Sequence, residues 1–227
     1  MKAILFDIDG TLVEGGNKTH HEAFKEVFRE IYGVDADITE IKYSGKTDMG
    51  ILVEVLQLRG IPEVDIYEKL EQGVKFMEKY FEDNSGKEEV IITSGIEELL
   101  IRLRSRNHIL GVLSGNLPKI GWLKIKYAGL RHLLSLGSFG NLSEDRVDLV
   151  EDSIRKIQRI NPDLKLKDIC IVGDTPHDIE CGNVSKVKTI AVATGRHPAN
   201  KLKIYHPTYL FDDFSDIDTI IRAIEKD

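Results

Sequence analysis

Cysteine is almost missing from this chain: Cys170 and Cys181 are the only two in 227 residues. Two thiols cannot build a disulfide framework, and neither has the partners of a zinc site at ligand spacing. A reducing compartment is expected. Nor does any apolar run approach eighteen residues, so nothing reads as a membrane span. The opening MKAILFDIDG is too short and too charged for a signal peptide. The expectation is a cytoplasmic protein that meets no membrane. Basic blocks are lacking as well. With 31 Lys and Arg against 38 Asp and Glu, the net charge is −7. The densest basic stretches, 119–126 and 155–167, read as solvated helix faces, so no nucleic-acid partner is expected. Repeats and low-complexity tracts are absent too.

What the chain has is an ordinary globular composition, 41% apolar and 30% charged, enough for one normal domain with a smaller insert. Apolar runs with little polar alternation occur at 3–8, 109–113, 169–172 and 189–192, the pattern of strands covered on both faces. A shorter strand is expected at 209–211. Helical periodicity fills 96–104, 147–160 and 217–224. Strands alternating with helices predict an α/β class with a mostly parallel sheet. The stretch from about residue 17 to 83 differs, with helical patterns at 20–32, 37–43, 48–58 and 65–81 broken by glycines. It reads as a helical insert after the first strand. The expected division is therefore a core of 1–15 plus 84–227 and a helical domain of 16–83, with 84–87 as the return hinge.

Open parallel sheets bind ligands beyond the carboxyl ends of their strands. Gathered there are Asp7, Asp9 and Thr11 after the first strand, Ser114 and Asn116 after another, and Asp174 and Asp178 after a third. Four carboxylates on one edge would raise one another's pKa unless a cation sat among them. Hard oxygen donors without His or Cys point to Mg²⁺. Asp7 and Asp9, two apart where a strand opens into a loop, can both reach one pocket while Ile8 turns into the core.

Asp7-Ile8-Asp9-Gly10-Thr11, Ser114-Gly115-Asn116 and Gly173-Asp174-Thr175-Pro176-His177-Asp178 resemble three signature motifs of the haloacid dehalogenase-like phosphohydrolase superfamily. Phe139-Gly140 followed by Glu144-Asp145-Arg146 is similar to the approach to its remaining motif, and the insert resembles its small helical cap. The nearest branch is the phosphoglycolate phosphatase-like group. The resemblance implies a Rossmann-like core and two-step phosphoryl transfer. Asp7 would be the nucleophile, and Asp9 the acid and later base, its backbone carbonyl also a metal ligand. Asp7 and Asp174 would hold Mg²⁺, with Asp178 holding a metal-bound water or orienting Asp174 from outside. Ser114 would donate to a phosphoryl oxygen, with Thr11, Gly115 and Asn116 beside it. Most members carry Lys at the remaining motif, where this chain offers Arg146; Lys124, within a helix, is the second candidate for that cation. The cap loop Ser44-Gly45-Lys46-Thr47-Asp48 would face the site, with Lys46 toward a second anionic group of a small phosphorylated metabolite.

The retained Asp9 and Asp174 argue against dehalogenation. A phosphorylated-sugar mutase is the alternative, less similar because Gly173 stands where many mutases have an acid; a non-catalytic interaction protein is the third reading. His20 and His21 read as helix-terminal residues without a role, Trp122 as packing, and His177 as tolerated rather than catalytic. The expected assembly is a monomer or weak homodimer.

Overall fold

Strands covered on both faces need helices above and below, and the chain supplies both layers. A computed structural model describes residues 1–15, 17–87 and 90–226. Strand β1 (Ala3–Phe6) leads into β2 (Val13–Gly15), helices α1 (Lys18–Glu30), α2 (Asp48–Leu58) and α3 (Glu63–Asn84), then β3 (Val90–Ile92). The chain continues through α4 (Ile96–Ser105), β4 (Ile109–Ser114), α5 (Pro118–Tyr127), β5 (Leu136–Phe139), α6 (Arg146–Ile160), β6 (Ile169–Gly173) and α7 (Pro176–Val184). It closes with β7 (Lys188–Val192), α8 (Ala199–Leu202), β8 (Tyr209–Phe211) and α9 (Ile217–Glu225). Six strands form one parallel sheet in the order β5-β4-β1-β6-β7-β8. This is a Rossmann-like doubly wound arrangement, and its order reverses between β1 and β6, where such sheets open a crevice.

Alternation along β1 explains the layers. Ile4 and Phe6 face a cluster with Leu99, Leu100 and Leu103 of α4 and Ile220 and Ile224 of α9. Ala3 and Leu5 face the opposite way, against Leu149, Val150 and Ile157 of α6. Both faces are dry, which is why β1 shows no polar alternation.

The helices α1 to α3 form a cap with its own apolar centre: Phe24, Val27 and Phe28, Leu52 and Leu56, Met77 and Phe81. Leu117 and Ile120 at the start of α5 join this cluster, so the cap is seated on the core rather than tethered to it. The chain enters and leaves the cap through β2 and β3, which pair antiparallel. Among the described residues no helix is long and apolar enough to cross a membrane.

Three local expectations need correction. The helix expected over 37–43 is a single 3-10 turn, Ile38–Glu40, closed by a reciprocal cap between Asp37 and Glu40. Ile41 is extended, which stops it. Helix α3 runs on through Asn84 into a 3-10 turn over Ser85–Lys87, so the expected hinge residues are helical. Strands β2, β3 and β5 were not anticipated, since each is three or four residues long. The first expected domain junction falls at Gly16 and the core's expected end at Asp227, both outside the described residues.

Candidate active site

Where β1 ends, the backbone N–H of Asp7 still donates to Val172 of β6 at 2.9 Å. That bond points the following loop into the crevice between the two strands. Gly10, at φ +88, turns the chain back, a conformation that only glycine adopts without strain. Thr11, wholly buried, then donates from Oγ1 to Asp174 Oδ1 at 3.0 Å, tying the first loop to the end of β6.

Asp7, Asp174 and Asp178 are all buried, each offering a carboxylate oxygen within 4.8 Å of the others. Burial, with the charges of Asp178 and Asp9, pushes Asp7 up to about 7 although Arg146 opposes the shift. Asp174 is raised well above the usual carboxylate range by burial and by Asp7 and Asp178. Three buried acids held this close are a donor set for a hard divalent cation, which would relieve the repulsion. Close backbone passage shapes the cradle: a Cβ on Gly195 would fall 1.7 Å from Asp174 Oδ2 and one on Gly10 2.6 Å from the same atom. The donors fit Mg²⁺.

Arg146, at the first position of α6, is buried and reaches into this cluster. Its Nη2 lies 3.3 Å from Asp7 Oδ1 and closer still to Asp178 Oδ1. Burial works against the guanidinium's charge, but Asp178 and Asp7 outweigh it and push its pKa upward. The other oxygen of Asp178 accepts from Thr175 Oγ1 at 2.6 Å and Thr175 N at 3.0 Å, capping α7. Asp178 is thus held from two sides. It also has no room for a neighbour: a Cβ on Gly173 would lie 2.2 Å from its Cγ. An acid before Asp174 is incompatible with this placement.

Asp9 points elsewhere. Its two carboxylate oxygens accept from Lys124 Nζ at 2.7 and 2.9 Å, and Asn116 Nδ2 donates to Oδ2 at 2.7 Å. Burial raises its pKa, yet Lys124 and Asn116 outweigh that and leave it below the ordinary value. Asn116 Nδ2 also reaches Ser114 Oγ at 2.8 Å. The two cations weighed in sequence are therefore both present, divided between two acids: Arg146 beside Asp7, Lys124 beside Asp9. Distance along α5 from the strand end does not keep Lys124 away, because the helix turns its fully buried ammonium toward the cap hinge.

There it meets Asn17 Oδ1 at 2.8 Å and His20 Nδ1 at 3.3 Å. His20 is not an idle helix-terminal residue. It is buried, stacks on Phe24, and bonds through Nε2 to Asp48 Oδ2 at 2.9 Å. Asp48 in turn accepts from the backbone N–H of Leu117 at 2.7 Å. Its own N–H donates to the Gly115 carbonyl at 2.7 Å. Gly115 is therefore a joint between cap and core: a Cβ there would fall 2.2 Å from the Lys46 carbonyl oxygen.

A cavity of about 410 Å³ opens over these residues, lined by Asp7, Asp9, Ser114, Gly115, Asn116, Arg146 and Asp174 from the core and by His20, Phe24, Tyr43 and Lys46 from the cap. Lys46 reaches it, but its ammonium is paired with Glu54. Trp122 packs edge-on against Phe139 beneath Arg131. His177 lies on a separate cavity behind Arg146.

The family model for haloacid dehalogenase-like hydrolases matches residues 4–192. Pyrophosphatase PpaX of Oceanobacillus iheyensis is 26% identical over 228 residues, 97% of each chain. A hydrolase from Pseudomonas syringae superposes with a TM-score of 0.73 at 18% identity, covering 99% of each chain. The β-phosphoglucomutase of Clostridium difficile does so with 0.73 at 16% identity, covering all of this chain and 98% of that one. Such low identities speak for the fold alone. Because hydrolase and mutase superpose equally well, the phosphoglycolate phosphatase-like branch is not singled out.

Proposed function

The chain belongs to the haloacid dehalogenase-like hydrolases, and from that premise we propose a Mg²⁺-dependent phosphomonoester hydrolase that works through an aspartyl-phosphate on Asp7. One observation carries the reading: two carboxylates, two residues apart, line one cavity and are held by different cations. Identical side chains in unlike surroundings are suited to unlike tasks.

Asp7 and Asp174, with the Asp9 backbone carbonyl, would hold Mg²⁺, and Arg146 keeps Asp178 beside them. The bound ion would shield the phosphoryl dianion from the anionic nucleophile. An Asp7 oxygen attacks phosphorus, the bond to the ester oxygen breaks, and the alkoxide takes a proton from Asp9. Asp9 is ion-paired here, so the proton it passes on is most directly drawn from the Lys124 ammonium 2.7 Å away. Asp9 then removes a proton from water and passes it back to Lys124, while the water oxygen attacks phosphorus of the acyl phosphate and frees Asp7. Ser114 and the backbone around Asn116 line the phosphoryl end, and Arg146 offsets charge spreading over its oxygens; Thr11, expected beside the substrate, is instead wholly buried and steadies Asp174. A small phosphorylated metabolite suits a cavity of this size. The curated relative's name adds a diphosphate to the classes worth assaying.

Rapid acid quench during turnover tests the scheme. Asp9→Asn should accumulate a phosphoryl group on the peptide containing Asp7, since no base activates the water. Asp7→Asn should carry none. Net release of inorganic phosphate separates this reading from a mutase, which returns the group to its sugar. If Asp7→Asn keeps near-native turnover, the nucleophile lies elsewhere.

A further inference from the structure

Five basic side chains reach the wall of the cavity, and four of them are spoken for. Arg146 is paired with Asp7 and Asp178, Lys46 with Glu54, His20 with Asp48, and His21 with Asp37. The fifth is Arg196, in the loop that follows β7. Its guanidinium sits over the Tyr43 ring, 5.3 Å from the centroid, and Nη1 donates to the Tyr43 hydroxyl. It pairs with no carboxylate among the described residues. The loop is fixed on either side of Arg196: Thr194 Oγ1 donates to the Gly10 carbonyl, and His197 Nε2 lies 3.2 Å from Ser44 Oγ of the cap loop. Arg196 is thus held at the seam of cap and core, on the same cavity as Asp7, with an exposed charge and N–H donors open to a ligand.

We propose that Arg196 binds a second anionic group carried by the leaving portion of the substrate. The substrate class is then a phosphate ester of a short carboxylic acid, or a diphosphate whose leaving half is itself an anion. The inference rests on the phosphohydrolase reading above and extends it to specificity. Arg196 is better suited than Lys46 because it presents a planar fork of N–H donors with no acid already in place. The Tyr43 hydroxyl is a neutral partner that an anion displaces at little cost, while the ring keeps the guanidinium aimed.

The test compares phosphorylated carboxylic acids of two to four carbons, and inorganic pyrophosphate, with alkyl phosphates of matching length. In the native enzyme kcat/KM for at least one acid or for pyrophosphate should exceed that of its alkyl counterpart by tenfold or more. Arg196→Ala should cut that ratio at least tenfold, mainly through KM; Arg196→Lys should restore part of it. Tyr43→Phe removes the hydroxyl and keeps the ring. It should leave the ratio within about threefold if Arg196 reads the substrate, and should reproduce Arg196→Ala if the pair is merely a cap latch. A native enzyme without preference for any anion, a preference that survives Arg196→Ala, or a matching loss in Tyr43→Phe would overturn the proposal. Calorimetric binding of the same acids and of pyrophosphate to Asp7→Asn, with and without Arg196→Ala, gives the comparison without turnover. A failed phosphatase reading therefore leaves the role of Arg196 still decided.

Discussion

Lys124 offers three N–H bonds to five acceptors: both oxygens of Asp9, Asn17 Oδ1, Asn116 Oδ1 and His20 Nδ1. Replacing it with Met keeps the stem's bulk but strands these groups around a methyl thioether. Removing one partner of a buried ion pair costs about 3–5 kcal/mol; Asp9 is partly open to water, so Lys124→Met should cost about 2 kcal/mol, measured as a shift in the urea midpoint. The same variant should lose alkyl phosphate turnover by at least tenfold and aryl phosphate turnover by less, since a phenolate leaves without a proton. A second expectation at this scale concerns pH. Burial raises Asp37, but Lys25, the Thr39 N–H and His21 outweigh it and hold its pKa well below the usual range. A carboxylate depressed on folding stabilises the protein above its unfolded pKa and loses that contribution as pH falls toward the folded value. The stability difference between the native chain and Asp37→Asn should be full at about pH 6 and shrink steadily from about pH 4 downward. A difference that persists unchanged at about pH 2.5 would contradict the assignment.

Between elements, the contact that matters most is Gly115 against the cap loop. Gly115→Ala forces a Cβ into the Lys46 carbonyl, so α2 must lift off the end of β4. The core sheet does not depend on that contact. Expected are a loss of at least tenfold in kcat/KM, a near-native circular dichroism spectrum, and faster proteolysis within the cap. Strand ends were readable in the sequence because dry parallel strands finish in small or acidic residues, which brought Asp7, Asp9, Ser114, Asp174 and Asp178 to one edge. Lys124 was not, since its placement depends on which face α5 turns to the cap. A signal was nonetheless present. Leu117, Ile120, Gly121, Lys124, Ile125 and Ala128 recur at helical spacing as one buried stripe, and a lysine inside such a stripe needs buried partners. His20 and Asp48, 28 residues apart, meet only through tertiary packing. The failed helix at 37–43 had a genuine start signal, and only the extended Ile41 shows that nothing propagates from it.

For the molecule as a whole, the three buried acids at the mouth of the sheet are a strain that a cation removes. Mg²⁺ should raise the thermal midpoint by several degrees, and Asp174→Asn should abolish most of that shift. Activity should vanish with EDTA and return with Mg²⁺ more fully than with Ca²⁺, whose longer bonds and higher coordination number suit this compact donor set less well. Undiminished phosphate release after exhaustive chelation would exclude the metal.

The central strand also sets a timetable. Ala3 of β1 pairs with Ile109 of β4 and Ile169 of β6, so its neighbours on either side follow it by 106 and 166 residues. On a ribosome adding roughly 5–20 residues per second, the first strand waits on the order of ten seconds for its second partner. The cap, made of consecutive helices, can gather during that interval; the strand that leads into Asp7 cannot find both neighbours. The acids that converge on the crevice therefore meet only late in synthesis, and a nascent chain stalled before residue 169 carries Asp7 with no site around it.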